Sequence, residues 1–211
     1  MSLRPLTPAA FAELIDVSRE TLERLDLYLD LLKRWQKAIN LVGLKTLEDP
    51  WRRHILDCAQ LINYLPPHAG TIVDLGSGAG LPGLILAIFG QSKVHLVESD
   101  QRKALFLKEA SRRLAVDVTI HVQRIEALGP LAPDVVTARA LAPLPRLLDL
   151  ASPLLSRDTM CLFLKGRHGK DELTEASKSW MMTAHSFPSL SDPSASVLKL
   201  WEIERAPLHR Q

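Results

Sequence analysis

The stretch VDLGSGAGLPG, residues 73–83, has four glycines among its last eight residues and continues an apolar run that begins at Ile72. Two glycine spacings overlap in it: G-x-G-x-G, and the G-x-G-x-x-G of dinucleotide-binding folds. Both suit a sharp turn from a strand into a helix, where the absence of Cβ lets a ligand lie against main-chain amides at the positive end of the helix. No Gly-Lys-Ser/Thr follows, which excludes a nucleoside-triphosphatase P-loop. The stretch therefore predicts a strand, a ligand-binding turn and a helix.

Short apolar runs alternate with amphipathic stretches on the carboxyl side of this turn. Strands separated by helices imply parallel pairing, so we expect an α/β fold with a doubly wound, mostly parallel sheet. The predicted strands are 71–75, 93–97, 118–122, 134–138, 160–164 and 197–204, with one more before the last; the predicted helices include 47–64, 82–89, 103–114, 144–155 and 170–182.

The chain before the sheet is predicted to be helical. We expect residues 1–66 to form an N-terminal helical extension packed on the main domain, and residues 67–211 to form that domain. In the last helix of the extension, Arg53 and Asp57 are spaced for an i,i+4 ion pair, and His54 and Asp57 for an i,i+3 contact.

Bulk composition excludes several classes of protein. The 211 residues carry a formal charge of only +2, so a long basic tail for nucleic-acid binding is not expected. Cys58 and Cys161 lie far apart in apolar surroundings, which predicts reduced thiols, and the seven histidines lack metal-ligand spacing, so no metal site is predicted. Without a signal peptide or a membrane-length apolar run, we expect a soluble, cytoplasmic protein with no membrane partner.

Acidic and apolar residues after the next two strands suit an adenosine ligand. Glu98 ends a strand about twenty residues after the glycines, where a carboxylate can accept hydrogen bonds from both ribose hydroxyls. Ile125 and Glu126 follow the third strand and are candidates to cover an adenine ring and to bond its exocyclic amine. The alternative for Glu98 is that it merely begins the next helix, which is the role expected of Asp100.

A set of motifs resembles a known family. DLGSGAGLPG, LVESDQRKALFLKE, QRIEAL, TARALAPL and LKG, preceded by NLVGL and RHILD, are similar to the RsmG (GidB) family of bacterial ribosomal RNA methyltransferases. The similarity covers residues 27–166, and the tail through VLKLWEIER is compatible with it. It implies a Rossmann-like class I fold that transfers a methyl group from S-adenosyl-L-methionine to N7 of a guanine in the 530 loop of 16S ribosomal RNA, either free or within a small ribosomal subunit.

The resemblance also implies site residues. Arg139, in TARAL, would reach the methionine end of the cofactor. Two departures are visible: Cys58 follows RHILD where the family usually has serine, and Glu98 replaces a frequent aspartate, although the longer carboxylate still reaches a ribose. The complete predicted cofactor-binding set is Asp74, Gly76, Gly78, Leu81, Glu98, Ile125, Glu126 and Arg139.

The predicted chemistry requires no catalytic acid or base. Guanine N7 has a lone pair and no proton to lose, so alignment beside the methyl donor suffices. The fourth strand is followed by Ala-Arg-Ala rather than by the Asn/Asp-Pro-Pro-aromatic loop common in amine methylation. RNA contacts are predicted from Arg53, His54, Lys165 and Arg167, while the basic helix from Arg102 to Arg113 fits either RNA binding or a solvated surface. We expect the protein to act as a monomer.

Two alternatives remain at this point. The glycines and Glu98 fit NAD equally well, so an NAD-dependent oxidoreductase is possible, although no Ser/Tyr-x-x-x-Lys constellation follows the fourth strand. A non-catalytic, RNA-binding ribosome assembly factor could hold the cofactor structurally.

Overall fold

A computed structural model describes residues 4–90 and 92–207. Seven strands form one sheet in the order β3-β2-β1-β4-β5-β7-β6. The strands are β1 Thr71–Leu75, β2 Lys93–Val97, β3 Val118–His121, β4 Val135–Arg139, β5 Met160–Lys165, β6 Trp180–Pro188 and β7 Ser196–Arg205. The first five run parallel, and β7 is antiparallel to both of its neighbours. The predicted α/β fold with a mostly parallel sheet is confirmed.

Helices cover both faces of the sheet. They are α1 Pro8–Ala12, α2 Arg19–Gln36, α3 Asp57–Ala59, α4 Gly83–Ile88, α5 Gln101–Leu114, α6 Leu144–Ala151 and α7 Gly169–Ala176. Ile72 and Leu162 face a core shared with α2, α4 and α5, whereas Val73 and Phe163 face a core shared with α6. Because both faces are covered, the central strands are apolar almost throughout rather than alternating.

The connection from α2 to the sheet is helical but not a regular α-helix. A 3₁₀ turn, Leu44–Glu48, precedes a wide π-type segment, Trp51–Leu56, and α3 continues into a second 3₁₀ turn, Gln60–Tyr64. The prediction of one helix over 47–64 is therefore right about helical structure and wrong about its regularity.

The predicted ion pair between Arg53 and Asp57 is not formed. Arg53 instead pairs with Asp192 at 2.8 Å, and Asp57 pairs with Arg139 at 2.8 Å. Both partners are distant in sequence, so the tertiary contacts of this segment, and not its local i,i+4 spacing, decide the pairing. His54 likewise bonds Thr46 and Arg139 rather than Asp57.

The predicted helix 170–182 is wrong in its second half. Helix α7 ends at Ala176, and β6 begins at Trp180 and pairs with β7 along nearly its whole length. A short apolar run such as WMM fits a helix and a strand equally well, and the long-range partner strand decides between them. Cys58 and Cys161 are buried and free, as predicted. No helix among the described residues is both long and apolar enough to cross a bilayer.

Candidate functional site

The glycine-rich turn after β1 has the backbone that its sequence predicts. Gly76, Gly78 and Gly80 have φ values of +64°, +55° and +82°, a region that side-chain-bearing residues rarely adopt. A Cβ at Gly76 would lie 2.6 Å from the Leu141 side chain, whereas one at Gly78 would meet only a main-chain oxygen, at 3.8 Å. Gly76 is therefore required for packing, and Gly78 keeps the space in front of the turn open.

Two clefts border this turn. One, the Glu98 cleft, has a volume of about 450 Å³ and is lined by Gly76, Gly78, Glu98, Ile125 and Glu126. The other, the His54 cleft, has a volume of about 300 Å³ and is lined by the same two glycines together with Thr46, His54, Leu81, Lys103 and Arg139. Seven of the eight predicted cofactor residues therefore lie together, around an open cradle that spans the two clefts.

Glu98 braces the glycine turn. Its side chain accepts a 2.8 Å hydrogen bond from the Gly78 N–H and a 2.7 Å hydrogen bond from the Asp100 N–H. Each carboxylate oxygen can accept a further bond, so ribose hydroxyls can share this acceptor. Asp100 caps α5 by accepting from the N–H groups of Arg102 and Lys103, which confirms its predicted role.

Asp74, the eighth predicted cofactor residue, lies beneath the turn and lines neither cleft. It is fully buried and accepts a 2.9 Å hydrogen bond from the Thr137 hydroxyl. Burial raises the pKa of its carboxyl to about 6. A Cβ at Gly83 would lie 2.6 Å from that of Asp74, so this carboxyl shapes the start of α4, while a direct cofactor contact stays a prediction.

A directed hydrogen-bond chain runs through His54. Its Nδ1 lies 3.3 Å from Arg139 Nη1, and its Nε2 lies 2.8 Å from the Thr46 hydroxyl. Because a guanidinium only donates, Nδ1 must accept, and the imidazole proton therefore sits on Nε2 and is donated to Thr46. Burial, with the charges of Arg139 and Arg53, lowers the pKa of His54 to about 3. His54 is thus a neutral residue at neutral pH.

Arg139 is held by three partners. Besides His54, its Nε contacts Asp57 at 2.8 Å, and its Nη2 donates to the Arg53 main-chain oxygen at 2.8 Å. A guanidinium has five N–H donors, so these bonds leave two for a ligand. The side chain lines the His54 cleft and a further cleft at the ends of β4 and β5.

This further cleft, the Lys165 cleft, has a volume of about 470 Å³. Its cations are already paired: Arg53 with Asp192, and Lys165 with Glu172 at 2.7 Å. The Lys165 ammonium also donates to the Ala142 main-chain oxygen, at 2.7 Å. Of the four residues predicted to contact RNA, Arg53 and Lys165 line this cleft and His54 the adjoining one; Arg167 is exposed in the turn after β5 and lines none of the three.

Sequence reasoning missed Ala140. This residue lines all three clefts, is exposed, and has a left-handed φ of +51°. Non-glycine residues in that conformation are uncommon and concentrate at functional sites. Alanine has no reactive group, so only its place directly after β4 could have pointed to it.

Comparison with known proteins agrees with this geometry. The family model for rRNA small subunit methyltransferase G matches residues 21–197. The ribosomal RNA small subunit methyltransferase G of Paramagnetospirillum magneticum is 57% identical over 189 residues, covering 90% of this chain and 92% of that protein. Its counterpart in Rhodospirillum rubrum is 53% identical over 201 residues, covering 95% of this chain and 100% of that protein.

A solved structure supports the fold at low sequence identity. Magnesium protoporphyrin IX methyltransferase from Synechocystis, determined with bound S-adenosylmethionine, superposes with a TM-score of 0.57 at 15% identity, covering 87% of this chain and 97% of that chain. The predicted class I methyltransferase fold, the enzyme class and the cofactor S-adenosyl-L-methionine are confirmed, and neither alternative function is favoured. The chain belongs to the rRNA small subunit methyltransferase G family.

Proposed function

We propose that this protein methylates N7 of a guanine in the 530 loop of 16S ribosomal RNA, using S-adenosyl-L-methionine. The observation that carries the proposal is the chemistry of the Lys165 cleft, which adjoins the cofactor clefts at Ala140. Neither a free general base nor an accessible nucleophile lies among its described residues. That combination suits a ring nitrogen with a ready lone pair.

The thiols cannot support methylation of a pyrimidine carbon, which needs an accessible cysteine nucleophile. Cys58 and Cys161 are fully buried, line none of the three clefts, and have thiol pKa values raised far above the ordinary range by burial. A thiolate is therefore not formed where a base could reach it.

The nearest proton acceptors are also committed. Asp57 forms an ion pair with the Arg139 guanidinium, and His54 uses its one free lone pair to accept a hydrogen bond from Arg139. Removing a proton from an exocyclic amine would require one of these groups to break its bond. Methylation at N7 requires no proton removal.

Each part of the site has a distinct role in the proposed reaction. The bound cofactor supplies an electrophilic methyl group on a sulfonium. Gly78 and Glu98 hold the cofactor's nucleoside, with Ile125 and Glu126 at its adenine, and Arg139 orients its methionine end or the guanine acceptor edge with its two remaining N–H groups.

The wider biological setting is proposed on the same basis. An RNA substrate in the small ribosomal subunit would place the protein in the cytoplasm. We also propose that the protein acts as a monomer, because the glycine turn already brings seven of the eight predicted cofactor residues together. We also propose that the helical extension, residues 1–66, serves the methyltransferase domain, residues 67–211, by supplying Thr46, His54 and Asp57 to the clefts.

The test is methyl incorporation from labelled S-adenosylmethionine into small ribosomal subunits from a strain lacking the gene. Nuclease digestion and mass spectrometry should identify 7-methylguanosine in the 530 loop. The Gly78→Val variant serves as the matched negative control. Label in another base, or at another guanine atom, would contradict the proposal.

A further inference from the structure

The end of α2 and the loop that follows it have an unusual charge distribution. Residues 31–47 include four cations, Lys33, Arg34, Lys37 and Lys45, and no acid. The first two lie in the last turn of α2, where cations ordinarily complement the helix dipole. The dipole does not account for Lys45, which lies in the following segment and is exposed.

The loop that carries these cations is held in a fixed shape. The Gln36 side-chain oxygen accepts hydrogen bonds from the N–H groups of Leu41, at 2.9 Å, and Val42, at 3.0 Å. The Gln36 amide donates back to the Val42 main-chain oxygen at 3.0 Å. One side chain therefore satisfies three main-chain groups of the loop. A depression of about 670 Å³ lies beside it, lined by Lys37, Asn40 and Lys45.

This depression adjoins the cofactor clefts. Gly43 and Thr46 line both the depression and the His54 cleft, so a chain lying in the depression would pass directly to the glycine turn. Leu44, also part of its lining, is 72% exposed, and an apolar side chain of this size is a suitable surface for the face of a nucleobase.

The free charge at this surface sets it apart from the Lys165 cleft. Arg53, Arg139 and Lys165 each contact a carboxylate at 2.7 to 2.8 Å. Within residues 4–90 and 92–207, no ion pair includes Lys37 or Lys45. A phosphate entering the Lys165 cleft would have to displace an internal acid, whereas a phosphate at Lys37 and Lys45 displaces only mobile counterions.

We infer that the surface formed by Lys37, Asn40, Leu44 and Lys45 binds the single-stranded RNA flanking the target nucleotide. The two lysines contact phosphates, Asn40 offers an amide to a base edge or sugar, and Leu44 packs against a base. The inference rests on the proposed function, because it assigns the docking surface for the same RNA substrate. It also assigns the main phosphate contacts to Lys37 and Lys45 rather than to Lys165, the residue predicted from the sequence.

The decisive variant is Lys37→Gln combined with Lys45→Gln, which removes two charges outside the cofactor clefts. The matched control is Lys93→Gln combined with Arg157→Gln. Both residues are exposed and lie at the amino ends of strands, Lys93 at the start of β2 and Arg157 before β5, away from the clefts at the carboxyl ends. Both proteins would be assayed for methyl transfer to a transcript of small-subunit ribosomal RNA and to gene-deletion subunits, over a series of salt concentrations. Calorimetry would measure S-adenosylmethionine affinity.

The logarithm of RNA affinity falls linearly with the logarithm of salt concentration, and each phosphate contact to a single strand contributes about 0.7 to that slope. Between about 1 M and about 0.1 M salt, one contact therefore changes the affinity about fivefold. The decisive variant should therefore raise KM for RNA about 25-fold and flatten the slope by about 1.4, with kcat and cofactor affinity unchanged. The control variant should match the wild type in all of these measurements.

Two results would overturn the inference alone. One is a decisive variant that behaves like the control on both substrates while the wild type methylates RNA. The other is a defect confined to ribosomal subunits, which would mean that the surface contacts a ribosomal protein. Failure of the wild type to methylate RNA at all would instead overturn the proposed function, and the inference with it.

Discussion

Replacing His54 by asparagine and by glutamine separates the two hydrogen bonds of this buried imidazole. An asparagine Oδ1 occupies the place of Nδ1 and still accepts from Arg139, but the bond to Thr46 is lost. A glutamine Nε2 occupies the place of the imidazole Nε2 and still donates to Thr46, but the acceptor for Arg139 is lost. Both variants remove the same ring from a site that is only 1% exposed. Asparagine is one methylene smaller than glutamine and leaves the larger cavity, so a milder effect of His54→Asn would not be due to better packing.

The expected difference follows from the charge of Arg139. A hydrogen bond to a charged group contributes about 1.5 to 3 kcal/mol, whereas a neutral bond contributes about 0.5 to 1.5 kcal/mol. Since Arg139 lines both the His54 and Lys165 clefts, a displaced Arg139 side chain should lower the rate of methyl transfer. We expect His54→Gln to lower kcat/KM roughly 10- to 100-fold and His54→Asn to lower it only a few-fold, measured at pH 7.5 on variants shown to be folded.

The same substitutions test the protonation state. Folding lowers the pKa of His54 from 6.5 to about 3, so below pH 6.5 the unfolded chain takes up a proton that the folded chain does not. The stability that depends on neutral His54 is therefore fully present above pH 6.5 and is lost as the pH falls toward 3. Between pH 7 and pH 5 the loss is about 2 kcal/mol, at 1.36 kcal/mol per pH unit.

Urea denaturation at the two pH values measures this loss. The wild type should lose about 2 kcal/mol more than either variant, because neither replacement side chain titrates. Equal activity of the two variants would refute the role of His54 in placing Arg139. Equal pH dependence of the wild type and both variants would refute its neutral, buried state.

Three further substitutions address the cofactor clefts and the Lys165 cleft. Glu98→Gln replaces one of the two acceptor oxygens that face the N–H groups of Gly78 and Asp100, so S-adenosylmethionine affinity measured by calorimetry should fall about tenfold; unchanged affinity would contradict the assignment. Gly78→Val should abolish cofactor binding, because a side chain enters the open space of the turn and the left-handed φ costs about 1 to 2 kcal/mol; normal methyl transfer would mean that the turn does not hold the cofactor. Lys165→Ala leaves Glu172, which is partly exposed, without its cation and should destabilise the fold by about 2 kcal/mol; unchanged stability with weaker RNA binding would support the phosphate contact predicted from the sequence.

The fold could be predicted because its determinants are local. The spacing of Gly76, Gly78 and Gly80 requires a left-handed turn, and the alternation of short apolar runs with amphipathic stretches favours parallel strands with helical crossovers. The sequence-based prediction fails where the local hydrophobic pattern fits a helix and a strand equally well. The helix expected over 170–182 ends at Ala176, because the chain from Trp180 onward pairs with a distant strand, β7, and that pairing leaves no local signal.

The contents of the clefts could be predicted only in part. Residues at the ends of strands were placed correctly, since the carboxyl ends of parallel strands meet at one edge of the sheet. The partners of the cations cannot be predicted, because Arg53 and Asp192 are separated by 139 positions and the i,i+4 rule considers only neighbours along one helix. A cation near an active site is visible in a sequence, but whether an acid already neutralises it is a property of the folded chain.

The same long-range pairs explain why the helical extension and the sheet act as one unit. Three side chains of the π-type segment and the helical turns after it contact the loop between β6 and β7: Arg53 pairs with Asp192, Asp57 accepts from the Ser191 hydroxyl, and Gln60 donates to the Ser189 hydroxyl. Asp57 also forms an ion pair with Arg139 at the end of β4. The position of this arginine therefore depends on the helical extension and, through Asp57, on the loop between β6 and β7. Arg53 and Asp57 have the spacing of an ion pair, but each is held by a partner that is distant in sequence. Because Asp192 pairs with the guanidinium of Arg53, the carboxylate of Asp57 remains available to Arg139.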